Sequence, residues 1–140
     1  MNLIIVGVDG SSTALEAAHK AAQLAAATEA RLHVITAVTR DSVELDDPPH
    51  HVRVDVARDF EKMVTESADQ LRSITERVTT AAVRGRPAEV LVGEAERLGA
   101  DLIVVGNRRV QSPVARVLGS IATAVAHHAP CDVYIARTTP

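Results

Sequence analysis

Gly106, Gly119 and Ser120, with Arg108, Arg109 and Arg116 between them, are the residues whose types and spacing best fit a chemical task in this chain, the holding of a phosphate. An apolar run, Leu102-Ile103-Val104-Val105, stops at Gly106; Asn107, Arg108 and Arg109 follow, and nine residues later Gly119-Ser120 opens a second apolar-periodic segment at Ile121. Glycine lets a backbone approach a ligand closely, and a helix N-terminus offers unpaired N–H groups and partial positive charge. The segment holds three arginines and no acid in a chain of net charge −3, although a solvated basic loop would look the same. Asp9 ends another apolar run, Leu3 to Val8, where a carboxylate can accept ribose hydroxyls or the turn amides of Ser11 and Ser12. Val38 ends a third run and can offer a wall or backbone groups to a base.

Other chemistries lack their residues. A P-loop needs lysine directly before its Ser or Thr, whereas Gly119 stands at that position and Leu118 before it. Gly7 and Gly10 do not complete the dinucleotide fingerprint, and no Gly-x-Ser-x-Gly elbow occurs. The six histidines read as surface residues and not as metal ligands, since His50-His51 and His127-His128 are adjacent pairs whose side chains diverge and no metal-binding spacing accompanies them. Cys131 is the single cysteine; it reads as a packed thiol before a strand and agrees with a reducing, cytoplasmic setting. Negative net charge and only two aromatic residues, Phe60 and Tyr134, argue against nucleic acid. No apolar run reaches the roughly 18 residues of a membrane span, and the N-terminus lacks a signal-peptide pattern.

The elements that must position these residues alternate. The 140 residues read as a single domain. Leu3 to Val8 is a strand apolar on both faces, as in a parallel sheet. An alanine-rich helix from Ala14 to about Ala27 follows, with Thr13 and Glu16 spaced as a capping box. Leu32 to Val38 is the second strand, and Thr39 to His51, with Asp41, Glu44, Asp46, Asp47 and Pro48-Pro49, reads as a polar loop. Val52, Val56, Phe60, Met63, Val64, Ala68 and Leu71 form one helical stripe. Arg77 to Val83 is the third strand; Pro87 opens and Gly99 ends the next helix; Leu102 to Val105 is the fourth strand. A last helix around Val125 and a last strand, Asp132 to Ala136, complete the series. Such alternation implies an α/β fold with right-handed crossovers and ligands beyond the carboxyl ends of the strands.

Val8-Asp9-Gly10-Ser11, Asp101 to Gly106, Leu118-Gly119-Ser120 and Ala129-Pro130-Cys131-Asp132-Val133, in this order, give the chain a resemblance to the universal stress protein family along its whole length. The resemblance implies a three-layer, Rossmann-like sandwich of the adenine nucleotide alpha hydrolase type, with a five-stranded parallel sheet of order 3-2-1-4-5. It also implies a homodimer paired through Asp132 to Ala136, which would cover an exposed edge. ATP or another adenine nucleotide is the implied cofactor, with Mg accompanying ATP. Asp9 would meet the ribose, Val38 the adenine, and Gly106, Gly119 and Ser120 the phosphates. The nucleotide-binding set is then Gly7, Val8, Asp9, Val38, Val105, Gly106, Arg108, Arg109, Gly119, Ser120 and Ile121. The chain departs from the family pattern of Gly, two residues, Gly, nine residues, Gly and Ser or Thr at one place, where Arg109 replaces the second glycine. Arginine there costs roughly 1–2 kcal/mol if the backbone must be left-handed, yet it brings a guanidinium fork for phosphate. It also fills space, which favours a smaller ligand such as AMP or cyclic AMP.

Three functions follow as expectations: a non-catalytic regulatory module of the stress response whose nucleotide occupancy changes what its surface presents, a slow ATPase with Asp9 as base, and a nucleotide-free interaction protein. The first is the leading expectation, with no catalytic residue and no metal ligand assigned.

Overall fold

In the computed structural model the described residues are 1–40, 42–47, 50–55, 57–108 and 118–139. The expectations placed on Asp41, Pro48-Pro49, Val56, Arg109 and Arg116 lie outside them. The elements are β1 (Leu3–Gly7), α1 (Ser12–Thr28), β2 (Arg31–Val38), β3 (Ser42–Asp47), β4 (His50–Asp55), α2 (Ala57–Leu71), β5 (Val78–Arg84), α3 (Pro87–Leu98), β6 (Leu102–Arg108), α4 (Ser120–His128) and β7 (Asp132–Thr138).

Five strands form one parallel sheet of order β5-β2-β1-β6-β7. Counting only these strands along the chain, the order is 3-2-1-4-5, so this is the expected α/β sandwich. Alternation along each strand splits the apolar residues between two layers. Ile4 and Val6 of β1, Leu32 and Val34 of β2 and Val104 of β6 pack with Ala17, Ala18, Ala21, Ala22 and Ala25 of α1 and with Val64, Ala68 and Leu71 of α2. Leu3, Ile5, Ile35, Ile103 and Val105 face Val90, Leu91 and Ala95 of α3 and Ala122 and Val125 of α4. The alanine face of α1 leaves the helix backbone close to the sheet, where a longer side chain would hold it off.

Caps explain where the helices start and stop. Ser11 Oγ accepts the Ala14 N–H at 3.1 Å and so caps α1. The capping box expected at Thr13 and Glu16 is therefore a correction: Glu16 turns away, and its Oε2 accepts from the Thr139 N–H and hydroxyl. Pro87 opens α3 and Gly99, at φ +67°, closes it. At the foot of the sheet Asp101 Oδ2 accepts the N–H groups of Asn2 and Leu3 at 2.7 and 3.0 Å, which holds its carboxyl below the usual range and ties β1 to β6.

Other boundaries also differ from the sequence reading. Part of the expected polar loop is an antiparallel pair, β3 with β4, in register Val43 with Val54, Leu45 with Val52, Glu44 with Arg53 and Asp46 with His51. Apolar residues therefore alternate with polar ones at the two-residue period of strands, a signal hidden by the local acidity. Val52 accordingly belongs to β4, and α2 begins only at Ala57. β5 starts one residue later and ends one later than Arg77 to Val83, and β6 and β7 each run on past their apolar cores, to Arg108 and Thr138. Edge-ward polar residues kept their backbone pairing there, since ladder hydrogen bonds are indifferent to side-chain polarity.

His33 overturns the reading of all histidines as surface residues. It is 9% exposed, on the same face of β2 as Ile35; its Nδ1 lies 2.7 Å from Thr79 Oγ1, and its buried Nε2 has no hydrogen-bond partner among the described residues. Burial pushes its pKa below the ordinary 6.5; Glu94 pulls it upward, and Arg97 and Arg31 add to the lowering.

Two outcomes are expected. Ile103→Ala, which empties a fully buried site on the central sheet, should cost about 2–5 kcal/mol in urea unfolding. The unfolded chain takes up a proton at His33 more readily than the folded one, so stability should fall as pH is lowered below about 6.5. Urea midpoints measured from pH 7.5 to 5.5 should show this slope, and His33→Gln should flatten it.

Candidate functional site

β1 is the strand from which the sheet extends in two directions: the chain reaches β2 on one side through α1, while β6 lies on the other side. The two crossovers diverge above its carboxyl end and leave a crevice there. A cleft of about 480 Å³ occupies this position, within the usual size of a small-ligand pocket. Its walls include Gly7 of β1, the β1–α1 turn with Asp9, the first turn of α1, Thr36 and Ala37 of β2 with Thr39 and Arg40 just beyond it, β6 with Val104, Val105 and Gly106, and α3 with Val90 and Leu91. Ile121 of α4 and Phe60 of α2 complete them. The floor is apolar, and Asp9 and Arg40 are the only charged residues among the described lining.

Each glycine of the rim has a packing reason as well as a ligand reason. Gly10, at φ +87°, makes the turn that lets Asp9 sit at the mouth. A Cβ on Gly7 would come within 3.2 Å of Leu91 Cδ2, so glycine lets α3 settle against β1. Gly106 does not end its strand, contrary to the sequence reading; it pairs with Ala136 within β6, and a Cβ there would lie 3.2 Å from Ala17 Cβ and 3.3 Å from Thr138 Cγ2. Its absent side chain brings α1, β6 and β7 together beside the cleft.

Asp9 has both of its proposed roles open in one geometry. Its Oδ1 accepts the Ser11 N–H at 2.9 Å, which fixes the carboxylate, and its other oxygen has no hydrogen-bond partner among the described residues. At α4 the N-cap is Gly119, in extended conformation and with no side-chain cap. The helical ladder begins with Thr123 N–H to the Gly119 carbonyl, so the amides of Ser120, Ile121 and Ala122 are the ones a helix start leaves without internal partners. The Gly119 amide is different: it donates to Asn107 Oδ1 at 2.8 Å. One of the amides assigned to phosphate by the sequence is thus engaged by the protein itself.

The structure gathers Gly7, Val8, Asp9, Val105, Gly106 and Ile121 around one cleft. Gly119 and Ser120 stand at the head of α4, one and two residues before the lining residue Ile121. Val38 is buried, with its carbonyl accepting the Gly85 N–H, while its neighbours Ala37 and Thr39 line the cleft. Arg108 is the last residue of β6, and Arg109 is outside the described residues. Sequence reasoning missed Arg40, Phe60 and Asn107. Arg40 stands only two residues past Val38, and Asn107 directly follows Gly106, so position alone pointed to both; Phe60 was assigned to the core stripe of its helix.

Cys131 is half-buried against the α3 and α4 layer. Burial, with the charges of Asp132 and Asp101, pushes its thiol pKa up, which suits a packed residue and not a nucleophile. Among the described residues no three His, Cys, Asp or Glu side chains cluster to hold a metal, and no helix is long and apolar enough to cross a membrane.

A profile of the universal stress protein family matches residues 1–137. A universal stress protein of Mycobacterium tuberculosis strain H37Rv is 32% identical, with 97% of this chain and 96% of that one covered. A putative universal stress protein of Staphylococcus haemolyticus is 31% identical over 96% of this chain and 84% of its own. The crystal structure of a universal stress protein in complex with cAMP superposes with a TM-score of 0.73 at 30% identity, covering 96% of this chain and 95% of that one. A universal stress protein from Archaeoglobus fulgidus in complex with dAMP shares the fold, with a TM-score of 0.71 at 19% identity over 96% of this chain and 97% of that one.

Gly106→Ala should lower the urea midpoint by the equivalent of about 1–3 kcal/mol, with an unchanged slope, because Ala17 Cβ is fixed on its helix and must move away.

Proposed function

The chain belongs to the universal stress protein family, and from that membership we propose that it is an adenine-nucleotide-binding regulatory module of the stress response, acting in the cytoplasm without turnover of its ligand. The observation that carries this reading is the cleft itself. A carboxylate fixed at its centre by Ser11 is flanked on the β6 side by an uncapped helix N-terminus, over an apolar floor. Ribose hydroxyls, a phosphate and a base need those three surroundings in that order. The similar protein solved with cAMP supports the ligand class, and ATP, AMP and cyclic AMP are its candidates, with Mg accompanying ATP.

Within this reading Asp9 accepts from the ribose through the oxygen that Ser11 leaves free, and the amides of Ser120 and Ile121 donate to phosphate. Arg109 stands in sequence at the motif's second glycine and brings a guanidinium, a group suited to phosphate, to that position of the chain. Asp9 is the only carboxylate in the described lining, and in this reading Ser11 and the ribose take its two oxygens, so none is left to activate water. The protein acts as a homodimer through β7, which pairs with β6 on one side and is the last strand of the sheet on the other. Occupancy shifts the population of surfaces offered to protein partners.

The hydrogen bond from Gly119 to Asn107 favours a second reading, a nucleotide-free interaction module, because it satisfies internally an amide the ligand would use. Denaturing freshly purified protein and identifying released small molecules by mass spectrometry separates the two. Recovery of an adenine nucleotide, with calorimetric binding of ATP, AMP or cyclic AMP, supports the first reading; no saturable binding of any of them selects the second. Asp9→Ala should weaken binding about tenfold to a hundredfold, as expected for loss of a hydrogen bond to a charged group. Phosphate release from ATP should stay at the buffer rate.

A further inference from the structure

We propose that Phe60 and Arg40 read the base in this cleft, Phe60 by stacking and Arg40 by donating to acceptors on the base edge, so that the protein selects purine over pyrimidine nucleotides. The inference rests on the nucleotide reading above and goes beyond it in assigning the source of base selectivity.

The placement of the two residues carries the argument. β2 and β6 flank β1, so the two ends of the cleft lie two strand spacings apart, roughly 9–10 Å. The uncapped start of α4 follows β6 and marks the phosphate end; Asp9 follows β1 and marks the ribose. The base therefore falls at the β2 end. There Arg40 stands two residues beyond the end of the strand, and Ala37 and Ile35 give an apolar floor. Phe60 occupies the first turn of α2. One turn later Met63 Cγ lies 3.7 Å from where a Cβ on Gly10 would stand, which sets this end of α2 beside the turn that holds Asp9.

The chemistry of each residue is specific. Phe60 is the only aromatic side chain in the described lining and is half-buried there, so it offers a ring face to a flat ligand at little entropic cost. Arg40 is exposed and forms no ion pair with any described residue, so its guanidinium keeps its donors for a ligand. A guanidinium has donors only, and can meet N7, an acceptor on this edge of every purine, beside which guanine adds the O6 acceptor and adenine its N6 amine; cytosine presents on the corresponding edge its N4 amine and no acceptor. The larger purine face also stacks more fully on a phenyl ring.

Calorimetry with cyclic AMP, cyclic CMP and ribose 5-phosphate tests this on the whole chain. The unaltered protein should bind cyclic AMP at least about tenfold more tightly than cyclic CMP, within the range that base–aromatic stacking and cation–π contacts supply. Phe60→Leu and Arg40→Gln should each weaken cyclic AMP about tenfold, leave ribose 5-phosphate unchanged and shrink the purine preference, while Phe60→Tyr should keep it. Circular dichroism and urea midpoints establish that the variants are folded. If Arg40→Gln weakens ribose 5-phosphate as much as cyclic AMP, Arg40 serves the phosphate and the assignment is overturned. Binding by the unaltered protein with the same purine preference in both variants overturns the base-reading role alone. An unaltered protein that binds no nucleotide overturns the nucleotide reading and this assignment together.

Discussion

The cleft depends on one constraint: β1 is hydrogen-bonded on both edges and covered on both faces, so the chain can leave its end only across the rim of the sheet. Val6 pairs with Val34 on one side and Val104 on the other, and Ile4, Ile5 and Val6 have no exposed surface. Only the four residues Val8 to Ser11 link it to α1, so the link must turn sharply. Gly10 makes the tight turn required, Ser11 caps α1 immediately, and Asp9 is left at the rim with one oxygen bound and the other without a partner among the described residues. The position of the carboxylate is thus a result of core packing, and ligand chemistry would inherit it.

Close approach by small residues is what turns that rim into a hollow. Five buried alanines bring α1 near the sheet, and the missing side chains of Gly7 and Gly106 let Leu91 on one face and Ala17 on the other come within van der Waals reach of the strands. The glycines a motif search assigns to a ligand are therefore also demanded by packing. Their presence alone does not discriminate between a working nucleotide site and a fold that keeps its shape without one. The start of α4, where Gly119 supplies no side-chain cap, and the Asp9 oxygen without a partner among the described residues bear on that distinction, since neither is needed for packing.

Much of this architecture was legible in the sequence because buried parallel strands and helices write strong periods. The continuous run from Leu3 to Val8, the alanine spacing of α1, and Pro87 with Gly99 around α3 each matched the structure. The sheet order came from resemblance, since periodicity carries no information on which strands are neighbours. What stayed hidden had local reasons. The β3–β4 pair was masked by Glu44, Asp46, Asp47 and the prolines between the strands, which read as a polar loop, and His33 by the habit of counting histidines as surface groups. At the site, Asp9 and Gly106 could be read from motifs, whereas Phe60 looked like any apolar residue of an amphipathic helix. Its role at the cleft depends on where α2 begins, and the boundary moved from Val52 to Ala57.

The hydrogen bond between Asn107 and Gly119 gives the energetics of the phosphate end a definite form. A neutral amide–carbonyl bond contributes on the order of 1 kcal/mol net, and a bond to an anion roughly twice that. A negative charge at a helix N-terminus adds about 0.3–1 kcal/mol more. An arriving phosphate that takes the Gly119 amide from Asn107 therefore gains more than it displaces, provided the Asn107 side chain finds another partner or water. Where it cannot, the cost of an unsatisfied buried group, about 1–3 kcal/mol, cancels the gain. Gly119 and Leu118 are exposed, so water reaches this corner of the molecule and the exchange is open to it. In the nucleotide reading the internal bond would hold the Gly119 amide until an anion displaced it; in the nucleotide-free reading it is the permanent partner of that amide.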